Sequence, residues 1–240
     1  MNRRYLAFDI EIAKILPDGV DDLKAHRPLG ICCAAAMASG DDQPHLWYSC
    51  GADGQASPQM SRQDLQSFVH FLREHQEQGY TLLTWNGLCF DFDILAEESG
   101  ERRVCEGLAI DHVDMMFHVF CEKGFCVGLE AATKAIGVEG KTSGLHAELA
   151  PQLWAVGDTQ AVLTYVANDC RMTLDVAHVS EHDREFSWIT RRGTRSSFFL
   201  RGGWRTCRDA LKMPIPDTSW MDTPPWPRSR FTSWFRETNA

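Results

Sequence analysis

The chain has 240 residues, of which 44% are hydrophobic and 24% charged, with a net charge of −9; this is the make-up of an ordinary soluble globular protein, one large domain or one domain with an appendage. No apolar run is long enough to cross a bilayer, and Met1-Asn2-Arg3-Arg4-Tyr5 leads straight into a strand pattern without a signal-type apolar region, so an intracellular, cytoplasmic protein is expected. The nine cysteines are scattered, with no C-x-x-C, which speaks against both a disulfide framework and a zinc finger.

In chain order, Tyr5 to Ile12 reads as a strand and residues 13–28, with Pro17, Gly19 and Pro28, as a loop. Leu29 to Met37 and Leu46 to Cys50 are two further strands, separated by the turn signal Ser39-Gly40-Asp41-Asp42, so the first three strands predict an antiparallel meander. Ser61 and Asp64 form a capping-box pattern ahead of Leu65, Phe68, Val69, Phe71 and Leu72 at helical spacing, ending near Gly79. A fourth strand, Tyr80 to Trp85, ends in Asn86-Gly87, and a helix follows around Asp91 to Glu98. Leu108 to Val113 reads as a fifth strand, Asp114 to Cys121 and Leu129 to Ile136 as helices, and Asp158 as the N-cap of a long helix reaching about His178. Strands first, then strands alternating with helices, predict a layered α/β domain with a mixed sheet over residues 1–185.

From Phe186 the character changes to a segment with four tryptophans (Trp204, Trp220, Trp226, Trp234) and clustered prolines, without a clear period. From Arg191 on, ten basic residues face four acids, +6, which leaves −15 for the first 190 residues. Residues 186–240 therefore read as a basic, Trp-rich C-terminal extension. Such an element can pack back on the main domain, extend a nucleic-acid track or dock a protein partner.

Asp9 and Glu11, at i and i+2 on an otherwise apolar strand, point to one face. Two acids there are either ordinary charges on a solvent face or a pair that needs cations. Asp91 follows a strand end, where ligand sites of α/β sheets concentrate; it is equally suited to cap the next helix. Tyr165 and Asp169, at i and i+4, share a helix face with Val162, Val166, Thr173 and Val176 nearby, where an acid needs a partner, a metal or an arginine. Four carboxylates are what two-metal phosphodiester chemistry requires, two Mg²⁺ or Mn²⁺ ions about 3.5–4 Å apart clamping the attacking and leaving oxygens.

The order D-x-E (Phe8-Asp9-Ile10-Glu11), N-x-x-x-F-D (Asn86 through Phe90-Asp91) and Y-x-x-x-D (Tyr165 through Asp169) resembles the DEDD superfamily of 3′→5′ exonucleases. The middle motif is most similar to that of the proofreading domain of family-B DNA polymerases and related stand-alone exonucleases. His112-Val113-Asp114-Met115 and Gly128-Leu129-Glu130-Ala131-Ala132 match two further family segments loosely, so the likeness spans residues 5–180. It implies a ribonuclease H-like three-layer fold, with a mixed five-stranded sheet flanked by helices, in which Asp9, Glu11, Asp91 and Asp169 hold two ions. Thr164 stands where a histidine subtype has its His, so the resemblance is to the tyrosine subtype, with Tyr165 orienting the attacking water. Asp93 departs from the family, in which a Pro is common nearby; it is either a second functional acid or a surface charge in a first helical turn.

The substrate implied is the 3′ end of single-stranded DNA or RNA. Ile10, Trp85, Asn86 and Phe90 beside the motifs are candidates to hold it, with stacking on the aromatics; His112 would approach the scissile phosphate or cap the fifth strand, and Lys141 would touch a phosphate or be merely solvated. The competing functions are a structure-specific endonuclease of the same fold, a non-catalytic nucleic-acid-binding or polymerase-associated module, and a small-molecule phosphatase; no phosphate-binding P-loop or dinucleotide fingerprint supports the last.

Overall fold

The computed structural model describes residues 3–17, 19–20, 22–138 and 147–236. Strand β1 (Tyr5–Ile12) pairs antiparallel with β2 (Ile31–Ala38), which pairs antiparallel with β3 (His45–Trp47). The chain then crosses through helix α1 (Arg62–Glu77) to β4 (Thr81–Thr84), parallel to β1 on its other side. Helices α2 (Asp91–Ser99) and α3 (Arg102–Asp111) lead to β5 (Val113–Asp114), parallel to β4. The five-stranded sheet thus has the order β3-β2-β1-β4-β5, with β1 at its centre. Then come α4 (Met115–Lys123), α5 (Leu129–Ile136), α6 (Ala150–Ala155) and the 25-residue α7 (Thr159–Asp183). A hairpin of β6 (Glu185–Ile189) and β7 (Arg195–Phe199) and the short α8 (Cys207–Ala210) follow.

Two-residue periodicity in β1 sorts the core into two layers. Leu6, Phe8, Ile10 and Ile12 pack with the apolar faces of α1, α2 and α3; Tyr5 and Ala7 pack on the other side of the sheet with Val162, Val166, Cys170 and Val176 of α7. Odd-numbered positions of β1 therefore face α7, and Asp9 and Glu11 are odd-numbered. Opposite them in register stand Ala35 and Cys33 of β2. Their small side chains let α7 approach closely, and the Cys170 thiol donates to the Ala35 carbonyl at 3.4 Å.

The antiparallel meander and the helices around residues 65, 91, 115 and 129 form as expected, and Ser61 caps α1 by accepting from the Asp64 N–H at 3.1 Å. All nine cysteines are free thiols. Three expectations are corrected. Most of the anticipated fifth strand, Leu108 to Val113, is the end of α3, because Cys105, Leu108 and Ala109 form one buried helical face; only Val113–Asp114 remain as strand. Asp158 makes no side-chain cap, and α7 runs to Asp183, past the expected end, where Arg184 adopts a left-handed conformation at φ 54°. The segment after Phe186 contains the β6–β7 hairpin instead of lacking regular structure.

That last segment joins both core layers. Phe186, Trp188, Phe198, Leu200 and Trp204 pack with α7 and α5, while Phe231 and Trp234 pack with α2, α3 and α4. Trp220 and Trp226 stay exposed.

Candidate active site

Asp9 and Glu11 lie under α7, where Tyr165 and Asp169 face them, and Asp91 reaches the same point from the start of α2. Asp91 is the first helical residue, so the N-cap alternative does not hold; its Oδ1 accepts from the Ile10 N–H at 3.3 Å, between the two acids of β1. Burial pushes the Asp9 carboxyl well above the usual range, and the charges of Asp91, Asp169 and Glu11 push it further. Asp9 thus feels the other three acids. Burial likewise raises Asp91 to about 7, while its hydrogen bond with Asp9 and backbone N–H groups work in the opposite direction. The Asp9 and Asp91 carboxyls lie within hydrogen-bond reach of each other. Burial also raises the Tyr165 phenol, with Asp169, Glu11 and Asp9 adding to it, and the phenol hydrogen-bonds Asp169. Tyr165 is therefore a neutral donor.

Asp9, Glu11, Tyr165 and Asp169 line a cleft of about 840 Å³, with Asp91 buried behind them. Of the residues anticipated to hold substrate, Ile10, Trp85, Asn86 and Phe90 line it. His112 does not: it is fully buried, its Nε2 bonded to the Thr84 hydroxyl at 2.9 Å and its Nδ1 to the Ala109 carbonyl at 2.6 Å, with its ring 4.8 Å from that of Phe92. It braces the β4 end and cannot reach a phosphate in the cleft. Lys141 lies outside the described residues.

Two supporting residues were not anticipated. The turn from Asn86 to Asp91 is held by the buried Asp114, whose carboxylate accepts from the N–H groups of Asn86 at 3.0 Å, Leu88 at 2.9 Å and Phe117 at 3.0 Å. Asn86 adopts a left-handed φ of 79°, and a Cβ at Gly87 would lie 2.4 Å from the Thr84 hydroxyl oxygen, so the turn needs Asn-Gly at these positions. From the other side, Trp234 Nε1 donates to the Leu88 carbonyl at 2.7 Å. The aspartate within His112-Val113-Asp114-Met115 was visible in the sequence; its three backbone partners were not.

Among the described residues, no group of three or more His, Cys, Asp or Glu side chains is already arranged as a ligand set. The side chains nevertheless fit divalent cations chemically. Asp9, Glu11, Asp91 and Asp169 are hard oxygen donors, and the charges of the other three push the Asp9 carboxyl up, a cost that a cation would offset.

Among solved structures, the chain is similar to the family B DNA polymerase from the hyperthermophilic archaeon Pyrobaculum calidifontis, with a TM-score of 0.52 and 20% identity, over 75% of this chain and 25% of the polymerase. That likeness is one of fold, and the chain spans about a quarter of the polymerase's length. No curated protein matches the sequence. The RNase_H superfamily matches residues 51–179, which take in Asp91, Tyr165 and Asp169 and leave Asp9 and Glu11 outside. With more than half of its length in that match, and with the mixed five-stranded sheet flanked by helices, the chain belongs to the RNase_H superfamily.

Proposed function

We propose that this protein is a two-metal 3′→5′ exonuclease that hydrolyses the terminal phosphodiester of single-stranded DNA or RNA. The observation that carries the reading is the convergence on Asp9 of the charges of Asp91, Asp169 and Glu11, beside a cleft large enough for a nucleotide that Asp9, Glu11 and Asp169 line. Asp9, Glu11, Asp91 and Asp169 would hold the cations, which when bound supply Lewis-acid stabilisation of the phosphoryl oxygens. Tyr165, kept protonated by its surroundings, donates a hydrogen bond and orients the attacking water. Water adds to the terminal phosphorus, the bond to the 3′ oxygen of the preceding nucleotide breaks, and a 5′-mononucleotide and a shortened strand with a free 3′-OH leave. Trp85 and Phe90 offer ring faces to bases in the cleft without reading their identity.

The test is digestion of 5′-labelled DNA and RNA oligomers of matched sequence with Mg²⁺ or Mn²⁺. Single-nucleotide ladders growing from the 3′ end are expected, and Asp9→Ala should lower the rate by about 10³-fold or more while the far-UV spectrum stays as in the parent. Internal cuts would make it an endonuclease of the same fold. An Asp9→Ala variant as fast as the parent would overturn the assignment.

A further inference from the structure

The proposed chemistry does not use Asp93, although this acid is as buried as Asp91, at 1% exposure. Two residues apart on a helix, Asp91 and Asp93 point to nearly opposite sides; Asp91 faces β1, and Asp93 faces the segment between β1 and β2. There its Oδ2 accepts from Lys24 Nζ at 2.6 Å and from the Arg27 guanidinium at 2.5 Å. The other arm of Arg27 reaches Glu97 at 2.8 Å, and Glu98 accepts from the Gly30 N–H at 2.8 Å. Three acids of α2 thus grip the returning limb of residues 13–30. Lys14 closes the limb on itself by donating to the His26 carbonyl at 2.6 Å.

That segment forms part of the cleft. Leu16, Pro17, Val20 and Leu23 line it together with the candidate acids. The described part of residues 13–28 has only a single 3-10 turn (Leu23–His26) of regular structure, with no buried residue in it. Few apolar contacts hold such a segment, so its position depends on polar ties. Asp93 is the most buried of those ties, and its Oδ1 has no hydrogen-bond partner among the described residues. The acid is therefore compensated by the two cations of the segment and by little else.

We propose that Asp93 is a positioning residue: with Lys24 and Arg27 it clasps Leu16, Pro17, Val20 and Leu23 in place as an apolar wall against which the terminal nucleobase of a single strand lies. The wall lines the same cleft as Trp85 and Phe90, so a base would be held between carbon surfaces, a contact that any base can make. This inference rests on the exonuclease reading for its substrate but not for the clasp itself.

Two measurements test it, on Asp93→Asn, which keeps the shape of the side chain, and on Lys24→Gln/Arg27→Gln, whose parent side chains are partly exposed. Hydrogen exchange reads the clasp without turnover: residues 13–28 should exchange about tenfold faster or more in both variants, with β1 and α7 unchanged. Steady-state digestion of a dT oligomer reads the wall: KM should rise roughly tenfold, about 1.4 kcal/mol of lost binding, with kcat within about twofold, and Arg27→Lys should restore most of it. Unchanged exchange overturns the clasp. Faster exchange with KM unchanged, or with kcat falling in step, overturns the wall. If the wild-type protein does not digest oligonucleotides, the exonuclease reading falls, and exchange alone then decides the clasp.

Discussion

Asp91→Asn should make the metal-free protein more stable and the enzyme inactive. Asp91 titrates at about 7 in the fold, against an ordinary value of 3.8. The folded protein therefore keeps a proton that the unfolded chain releases, and stability falls as pH rises from about 4 to about 7. Above that window the full deficit is present. Each pKa unit is worth about 1.4 kcal/mol, so the deficit is on the order of a few kcal/mol, spread over Asp91 and the neighbouring Asp9. Asparagine has no such titration, its Oδ1 can still accept from the Ile10 N–H, and its amide can donate to Asp9. The assay is thermal melting in EDTA at about pH 8 and about pH 4. At the higher pH the variant should melt above the parent by roughly 5 °C or more, since each 1 kcal/mol moves a chain of this size by about 2–4 °C. At the lower pH, close to the carboxyl's ordinary value of 3.8, most of the advantage should be gone. Mg²⁺ should raise the parent's melting temperature and leave the variant's nearly unmoved. A variant that melts below the parent at the higher pH, or that keeps the same advantage at both, would refute the idea that the acids are crowded at the expense of stability.

Tyr165→Phe removes the phenol that hydrogen-bonds Asp169 and should lower kcat by about 10²-fold with KM little changed; unaltered single-turnover rates would make Tyr165 a packing residue only. Burial holds His118 at about 4, below its ordinary 6.5, with the Arg205 charge adding to the effect. A depressed histidine contributes stability above its unfolded value that is lost as pH falls through that window. His118→Gln, whose amide oxygen can accept from the Arg205 N–H as the imidazole does at 3.1 Å, should therefore lose about 2–3 kcal/mol less than the parent between about pH 7 and pH 4 in urea titrations; comparing variant with parent cancels the opposite titration of the buried acids. Asp114→Ala strips the partners from three N–H groups and should cost about 3 kcal/mol or more, with hydrogen exchange rising first at Asn86 and Leu88.

How much of this was legible in the sequence depended on the range of the interaction that gives each residue its role. Asp9 and Glu11 announce a shared face through strand periodicity, and Tyr165 and Asp169 through helical periodicity. Only the fold adds that β2 offers Cys33 and Ala35 opposite the acids, the small residues that admit α7. α3 was misread because its inward face consists of Cys105, Leu108 and Ala109 spread among charged residues, while the apolar tripeptide Leu108-Ala109-Ile110 looks like a strand. The β6–β7 hairpin escaped notice because its strands carry few inward apolar residues, Phe186 and Trp188 in β6 and Phe198 in β7, on either side of Arg191-Arg192-Gly193. His112 was misplaced for a related reason: as the residue that ends α3 it turns its ring into the core beside Thr84 and Phe92.

The buried acids show why carboxylates alone do not mark a site. Asp114 is compensated by three backbone N–H groups and Asp93 by Lys24 and Arg27, whose partners lie 69 and 66 residues away in the chain. Asp93 has cationic partners at hand, and the three N–H groups work against the burial that raises the Asp114 carboxyl. Asp9 is held against Asp91, whose charge adds to burial in raising the cost of ionising it, while burial itself raises that cost for Asp91. Glu11 and Asp169 bring further negative charge to the same point. A divalent cation would ease that crowding, and Asp9, Glu11 and Asp169 line the same cleft as Trp85 and Phe90.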